Sequence, residues 1–261
     1  MRLHEDLILT RPQRIRALVL ILVAIVGFRR DGMSQQALEP GWSSRAEQAL
    51  ANGQNEEAVK IVDQAVAIAP NQPSVFLVRG MVYFRLGRLQ ESLNDFDKSI
   101  ELAPNSKPEC WQRGITLYYL GRFEEGRDQF EIHRTVNPND VENPFWHFLC
   151  VAKSEGIEAA RSKLLPVGRD SRPPLMEVFE MLRGNAEPAQ VIEAANEAHG
   201  GPTGKTLARF YGHLYVGLYF DCLGQRELAK QHLEQCVSER TGGYMRDVAV
   251  LHLRQLSEKK R

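Results

Sequence analysis

Few residues in this chain stand at spacings that chemistry would require. The nearest approach to a phosphate-binding loop is GGPTGKT at Gly200 to Thr206, where backbone amides and a lysine could cradle a polyphosphate. Such a loop needs a glycine five residues before Gly204, and His199 stands there. It must also follow a strand, whereas AANEAHG reads as a helix end, so the segment reads as a helix connection. The histidines are scattered, with no HExxH pair for zinc and no Ser or Cys partner at a nucleophile elbow. Cys110, Cys150, Cys222 and Cys236 show no CxxC and no histidine at ligand spacing. Each falls in an apolar helical pattern and reads as a small buried hydrophobe; a Cys222–Cys236 bridge is the alternative. The paired carboxylates Glu56-Glu57 and Glu124-Glu125 open predicted helices, where they complement the helix dipole without any general-acid role. No catalytic residue, metal ligand or cofactor is therefore expected, and the chain reads as a binding protein, not an enzyme.

The composition agrees. A chain of 261 residues with 43% hydrophobic content can bury a sizeable core, and 33 basic residues balance 33 acidic ones. No net field gathers a phosphate backbone or an anionic membrane surface, so nucleic acid is not an expected partner. Ala17 to Phe28, ALVLILVAIVGF, is uncharged and apolar and follows Arg11, Arg14 and Arg16. That is the profile of a secretory signal, and it is shorter than the ~17 residues that span a bilayer as a helix. Export to the periplasm or cell envelope is the expected fate. Arg29 and Arg30 leave an uncleaved short anchor as one alternative, and translation from Met33 in the cytoplasm as another. No cysteine follows the apolar run at a lipidation position, so a lipid anchor is not expected.

The elements that must position any binding residues announce themselves by a repeat. Pro70, Pro104 and Pro138 stand 34 residues apart, and the same step links Gly80 to Gly114, Gly87 to Gly121, Phe96 to Phe130, and Arg45 to Arg79 to Arg113. A small residue at Ala46, Gly80 or Gly114 lets two helices of a pair approach, while the large residues fill the gap between pairs. Gly87 and Gly121 end first helices, and each proline stops a second helix. The strings YFRLGRLQESLNDFDKSIELAPN and YYLGRFEEGRDQF resemble tetratricopeptide repeats. The expected fold is all-α: a right-handed helix-turn-helix solenoid of about five pairs plus a C-terminal capping helix. The expected layout is a signal or anchor with its linker over 1–38, three regular repeats over 39–140, a degenerate repeat with inserted helices over 141–203, and a fifth repeat with the cap over 204–261. Over residues 72–256 this order of parts, with NPNDVENPFWHFL, FEMLRGNAE and YVGLYFDCLGQRELAKQHLEQCV, resembles the NlpI-type bacterial lipoproteins. That resemblance implies an envelope adaptor that dimerises and recruits cell-wall hydrolases or a processing protease. The alternative is a cytoplasmic or membrane-tethered structural subunit of a larger assembly.

In tetratricopeptide arrays the first helix of each pair lines the concave face. Carrying those positions over gives Leu77, Met81, Phe84 and Arg85, then Trp111, Ile115, Tyr118 and Tyr119, then Phe145, Leu149 and Lys153. A face this aromatic is a seat for a partner protein or peptide, or for the chain's own C-terminal segment or a second protomer. Trp111 is the strongest single candidate, because Phe96 and Phe130 are expected to pack the pairs. The Lys and Asn clamp that binds chaperone C-termini is missing, since Leu77, Met81, Trp111 and Ile115 hold its places. Arg45, Arg79 and Arg113 form a ladder whose stems can lie along the helix interface while their heads pair with carboxylates; donors for an acidic partner are the other reading.

Overall fold

A computed structural model describes residues 38–258; the apolar N-terminal run and Lys259 to Arg261 lie outside the described residues. Helices follow one another throughout. The first three pairs are α1 (Trp42–Ala51) with α2 (Asn55–Ile68), α3 (Pro73–Arg85) with α4 (Leu89–Leu102), and α5 (Trp111–Tyr119) with α6 (Phe123–His133). Then come α7 (Glu142–Glu155), the short α8 (Ile157–Ser162), α9 (Leu175–Arg183), α10 (Pro188–Glu197), α11 (Gly201–Cys222), α12 (Arg226–Ser238) and α13 (Tyr244–Glu258). Among the described residues there is no strand, and no helix is long and apolar enough to cross a membrane.

The close approach within pairs follows the expected glycines. A Cβ on Gly80 would lie 2.7 Å from the Phe96 ring, and one on Gly114 would lie 2.7 Å from the Phe130 ring. Gly217 repeats the arrangement against Leu233 at 2.9 Å, so α11 and α12 pack as α3 and α4 do. Gly87 takes the left-handed conformation at φ 77°, which lets the Arg88 N–H reach the Tyr83 carbonyl and close α3. At Arg79 and Arg113 the arginine ladder is structural, whereas Arg45 pairs with the exposed Glu39. Arg79 forks onto Asp95 with two bonds of 2.8 Å and reaches Asp63 at 2.9 Å, while Arg113 donates to Asp97 at 2.6 Å. Asp95 is buried, so this fork keeps a desolvated carboxylate paired.

Three departures have local causes. Pro104 and Pro108 hold Pro104–Glu109 in a 3-10 turn, so the third repeat's first helix begins only at Trp111. Beyond α8 the chain runs without regular structure to Pro174, pinned where Gly168 N–H meets the Pro138 carbonyl at 2.9 Å and Asp170 accepts the Val141 N–H at 3.1 Å. GGPTGKT is not a connection: from Gly201 onward it forms the first turns of α11, with Gly200 at φ 115° preceding them. Cys222 and Cys236 are free thiols, as are Cys110 and Cys150, and burial pushes Cys110 and Cys222 up to about 11.

The core has two main parts. One continuous cluster runs from Phe84 in α3 to Leu256 in α13, and a smaller one around Ala46, Ala58, Val62 and Val82 binds α1 and α2 to α3. Within the larger cluster α13 packs against α3 as well as against α12.

Candidate functional site

The aromatic inner face is occupied by the protein's own C-terminal helix. Phe84 is fully buried and stacks on Tyr244 of α13, with ring centroids 4.7 Å apart. Trp111 meets the same Tyr244 edge-on at 5.2 Å. The Tyr119 hydroxyl and His252 Nδ1 are 3.1 Å apart, and His252 Nε2 lies 3.4 Å from Asp221. Arg85 pairs with Asp247 at 3.2 Å, and Lys153 with Asp221 at 3.4 Å. Burial favours the neutral forms of Tyr119 and Tyr244, and it pushes Asp247 up to about 6 against the pull of Arg85. Burial also works against Asp221, yet His252 and Lys153 hold its carboxyl down at about 2.

This geometry places most of the concave residues expected to bind a partner inside the fold or against α11 and α13. Phe84, Ile115, Tyr118, Phe145 and Leu149 are core residues, with Tyr118 edge-on to Trp146 and Phe145 packed on Tyr215 of α11 at 4.5 Å. Arg85, Tyr119 and Lys153 are engaged in holding α13 and α11. Of the three occupants the sequence left open for this face, the C-terminal segment is in place, and it covers the surface that motivated a homodimer. Leu77 and Met81 are half-buried, and Met81 packs on the main cluster. Trp111 is also half-buried, but it borders a recess as well as Tyr244.

That recess is a cleft of about 350 Å³ between α5, α6 and α7 on one side and α11 with the turn into α13 on the other. Trp111, Phe130, Trp146, Phe210, Tyr211 and Tyr244 form its aromatic walls. Its polar lining is His133, Asp140, Glu142, Asn143 and Arg172. Arg172, from the irregular stretch before α9, donates to Asp140 at 2.6 Å, Glu142 at 2.7 Å and Asp170 at 2.7 Å. Glu142 also accepts the Tyr215 hydroxyl at 2.5 Å, and Asp140 caps α7 through the Glu142 N–H at 3.0 Å. Burial, then the neighbouring Asp140, raises the Glu142 carboxyl above the usual range. The cleft is not legible in the sequence, because its residues come from six separate segments that share no periodic spacing.

The comparisons with known proteins rest on these repeats. The tetratricopeptide repeat family matches residues 73–106, which span α3 and α4. Those residues are a tetratricopeptide repeat. A tetratricopeptide repeat protein from Parabacteroides merdae shares the fold at TM-score 0.50 and 13% identity, over 95% of this chain and 94% of that one. YrrB, described as a tetratricopeptide repeat protein with an unusual peptide-binding site, aligns at TM-score 0.43 and 15% identity over 85% of this chain and 94% of its own. MamA from Desulfovibrio magneticus aligns at 0.46 and 14% over 86% of this chain and all of that one. Among proteins of curated function, none matches the sequence significantly. Tetratricopeptide repeats are in general non-catalytic modules for contact between proteins, and residues 73–106 carry one.

Proposed function

We propose that this tetratricopeptide repeat protein is a cell-envelope adaptor that recruits cell-wall hydrolases or a processing protease. The observation that carries the reading is the order of parts. Three regular pairs lead to a pair whose second helix is only six residues long, then two further helices, then the 22-residue α11 with α12 and α13. This is the order in the NlpI-type lipoproteins that the sequence resembles. The basic and apolar run ending at Phe28 supports an envelope location, by export or by a short anchor. The work such an adaptor does is positional: a rigid array holds one partner where another can reach it, and effective concentration does the rest.

The test is cross-linking of the full chain in intact cells, followed by fractionation and mass spectrometry of both the mature N-terminus and the captured proteins. Envelope recovery with cell-wall hydrolases or a protease is the expected result. Recovery in the cytoplasm with an N-terminus at Met33, and no such enzyme captured, would overturn the reading.

A further inference from the structure

The aromatic cleft has three features that the packing of the array does not require. The first is an imbalance of charge: the ion-pair network at its floor sets Asp140, Glu142 and Asp170 against the single guanidinium of Arg172. All three donor nitrogens of Arg172 are spent on these carboxylates, so it offers little to an incoming anion.

The second feature is a pair of unused polar groups. Asn143 is 2% exposed and lines the cleft, yet neither its Oδ1 nor its Nδ2 has a partner among the described residues. The Nε1–H of Trp146, one turn along the same helix and 1% exposed, is likewise without an acceptor among the described residues. A buried amide with both ends unmet costs about 1–3 kcal/mol per group unless something that enters the site completes it. His133 adds a further acceptor. Its Nδ1 lies 2.8 Å from the Pro108 carbonyl, which can only accept, so Nδ1 carries the proton and in the neutral ring Nε2 is the lone-pair nitrogen.

The third feature is the set of walls. Aromatic faces attract a cation through their quadrupole, and Arg172 already lies over the Tyr211 ring at 6.0 Å. An anion would meet surplus negative charge in this cleft, and a purely apolar ligand would leave Asn143 unmet. A cation on an apolar stem answers the first and third features, and the carbonyl and N–H of the peptide that carries it answer the second; about 350 Å³ is at the small end of ligand pockets, enough for a side chain but not for a folded element.

We propose that this cleft is a receptor for a basic side chain, arginine or lysine, presented by a bound peptide. The stem lies against Trp111 and Tyr244, and the charged head reaches the Asp140 and Glu142 carboxylates. The Asn143 amide and the Trp146 N–H take up the peptide's own backbone groups. The proposal deepens the adaptor reading by stating what chemistry a partner must present, and it rests on that reading only for the partner's identity.

The test uses the full chain and three small probes: acetyl-arginine amide, acetyl-lysine amide, and acetyl-citrulline amide as the uncharged isostere. Quenching of Trp111 and Trp146 emission reports binding, with calorimetry as a second readout. Both basic probes should bind, and citrulline should bind about tenfold or more weakly. Asp140→Asn removes one charge but keeps an oxygen to cap α7, and it should weaken the basic probes by about tenfold while leaving the melting temperature near wild type. Trp111→Leu should do the same and stands in if Asp140→Asn fails to fold. Equal affinity for citrulline, undiminished binding in both folded variants, or no binding of either basic probe at about 10 mM would overturn the proposal. A chain that binds the basic probes but captures no envelope enzyme keeps the cleft and sinks the adaptor reading. One that captures those enzymes but binds no probe does the reverse.

Discussion

The ring of Phe84 lies stacked on that of Tyr244, 160 positions further along the chain, with planes 25° apart. Around this contact Trp111 and Tyr119 are arranged edge-on, so one side chain of α13 anchors an aromatic cluster spread over α3 and α5. Replacing Tyr244 with Ala should cost about 3–5 kcal/mol, as expected for deleting a buried aromatic. It should also uncover Phe84 and Tyr119. The measurement is a thermal melt with a hydrophobic dye: a lower melting temperature, with dye bound before the main transition, is the expected pattern. A variant that melts like wild type and binds no dye would show that α13 does not depend on this contact.

Gly80→Ala tests the packing within a pair. The new methyl would meet the Phe96 ring at 2.7 Å, so the helices must separate or the ring must turn, at about 1–3 kcal/mol. The gain in helix propensity, about 1 kcal/mol, offsets only part of this. The double variant Gly80→Ala, Phe96→Leu should be more stable than the sum of the single effects by at least about 0.5 kcal/mol, measured by chemical denaturation. Strict additivity would mean that the two positions are not in steric conflict.

Those two residues also show what a one-dimensional reading can and cannot reach. Gly80 with Phe96, and Gly114 with Phe130, are legible because the requirement is local: a small residue and a ring 16 positions apart, repeated 34 positions later. The ladder of Arg79 and Arg113 is legible for the same reason, since Asp95 lies in the helix that follows Arg79 and Asp97 in the helix that precedes Arg113. The occupant of the aromatic face is not. Phe84 and Tyr119 advertise a need for apolar cover, and a partner helix would meet it with the same side chains as α13. Only the path of the chain decides between them. The cleft is harder still, because Asp140, Arg172, Tyr211 and Tyr244 owe their meeting to the long excursion between α8 and α11.

The seat of α13 should depend on pH. Asp247 is pushed up to about 6 from an ordinary value of 3.8, chiefly by burial and slightly by Glu47, against the pull of Arg85 and Arg246. Between those two values the folded state holds a proton that the unfolded chain has released, so the group's contribution to stability falls as pH rises from about 4 to about 6. The full cost above that window is at most about 3 kcal/mol. Asp221, held down at about 2, acts oppositely and adds stability above its ordinary 3.8 that is lost as pH falls towards 2. Asp247→Asn should therefore raise the melting temperature at pH 7 and flatten its decline between about pH 4 and 6. Parallel wild-type and variant curves across that window would refute the assignment.

The return of α13 to α3 changes how the array must assemble. An open stack of helix pairs grows from nearest-neighbour contacts, can nucleate at any unit, and tolerates fraying from either end. Here Tyr119 and His252, 133 positions apart, belong to one hydrogen-bonded contact, so the span from α3 to α13 closes on itself. Long-range closure raises contact order and slows folding, and on the ribosome the aromatic face stays bare until α13 has been synthesised. The first pair lies outside this loop, held through its own small cluster around Ala46, Ala58 and Val82. It can fray and re-form on a faster timescale, leaving a cooperative ring with a labile leading edge.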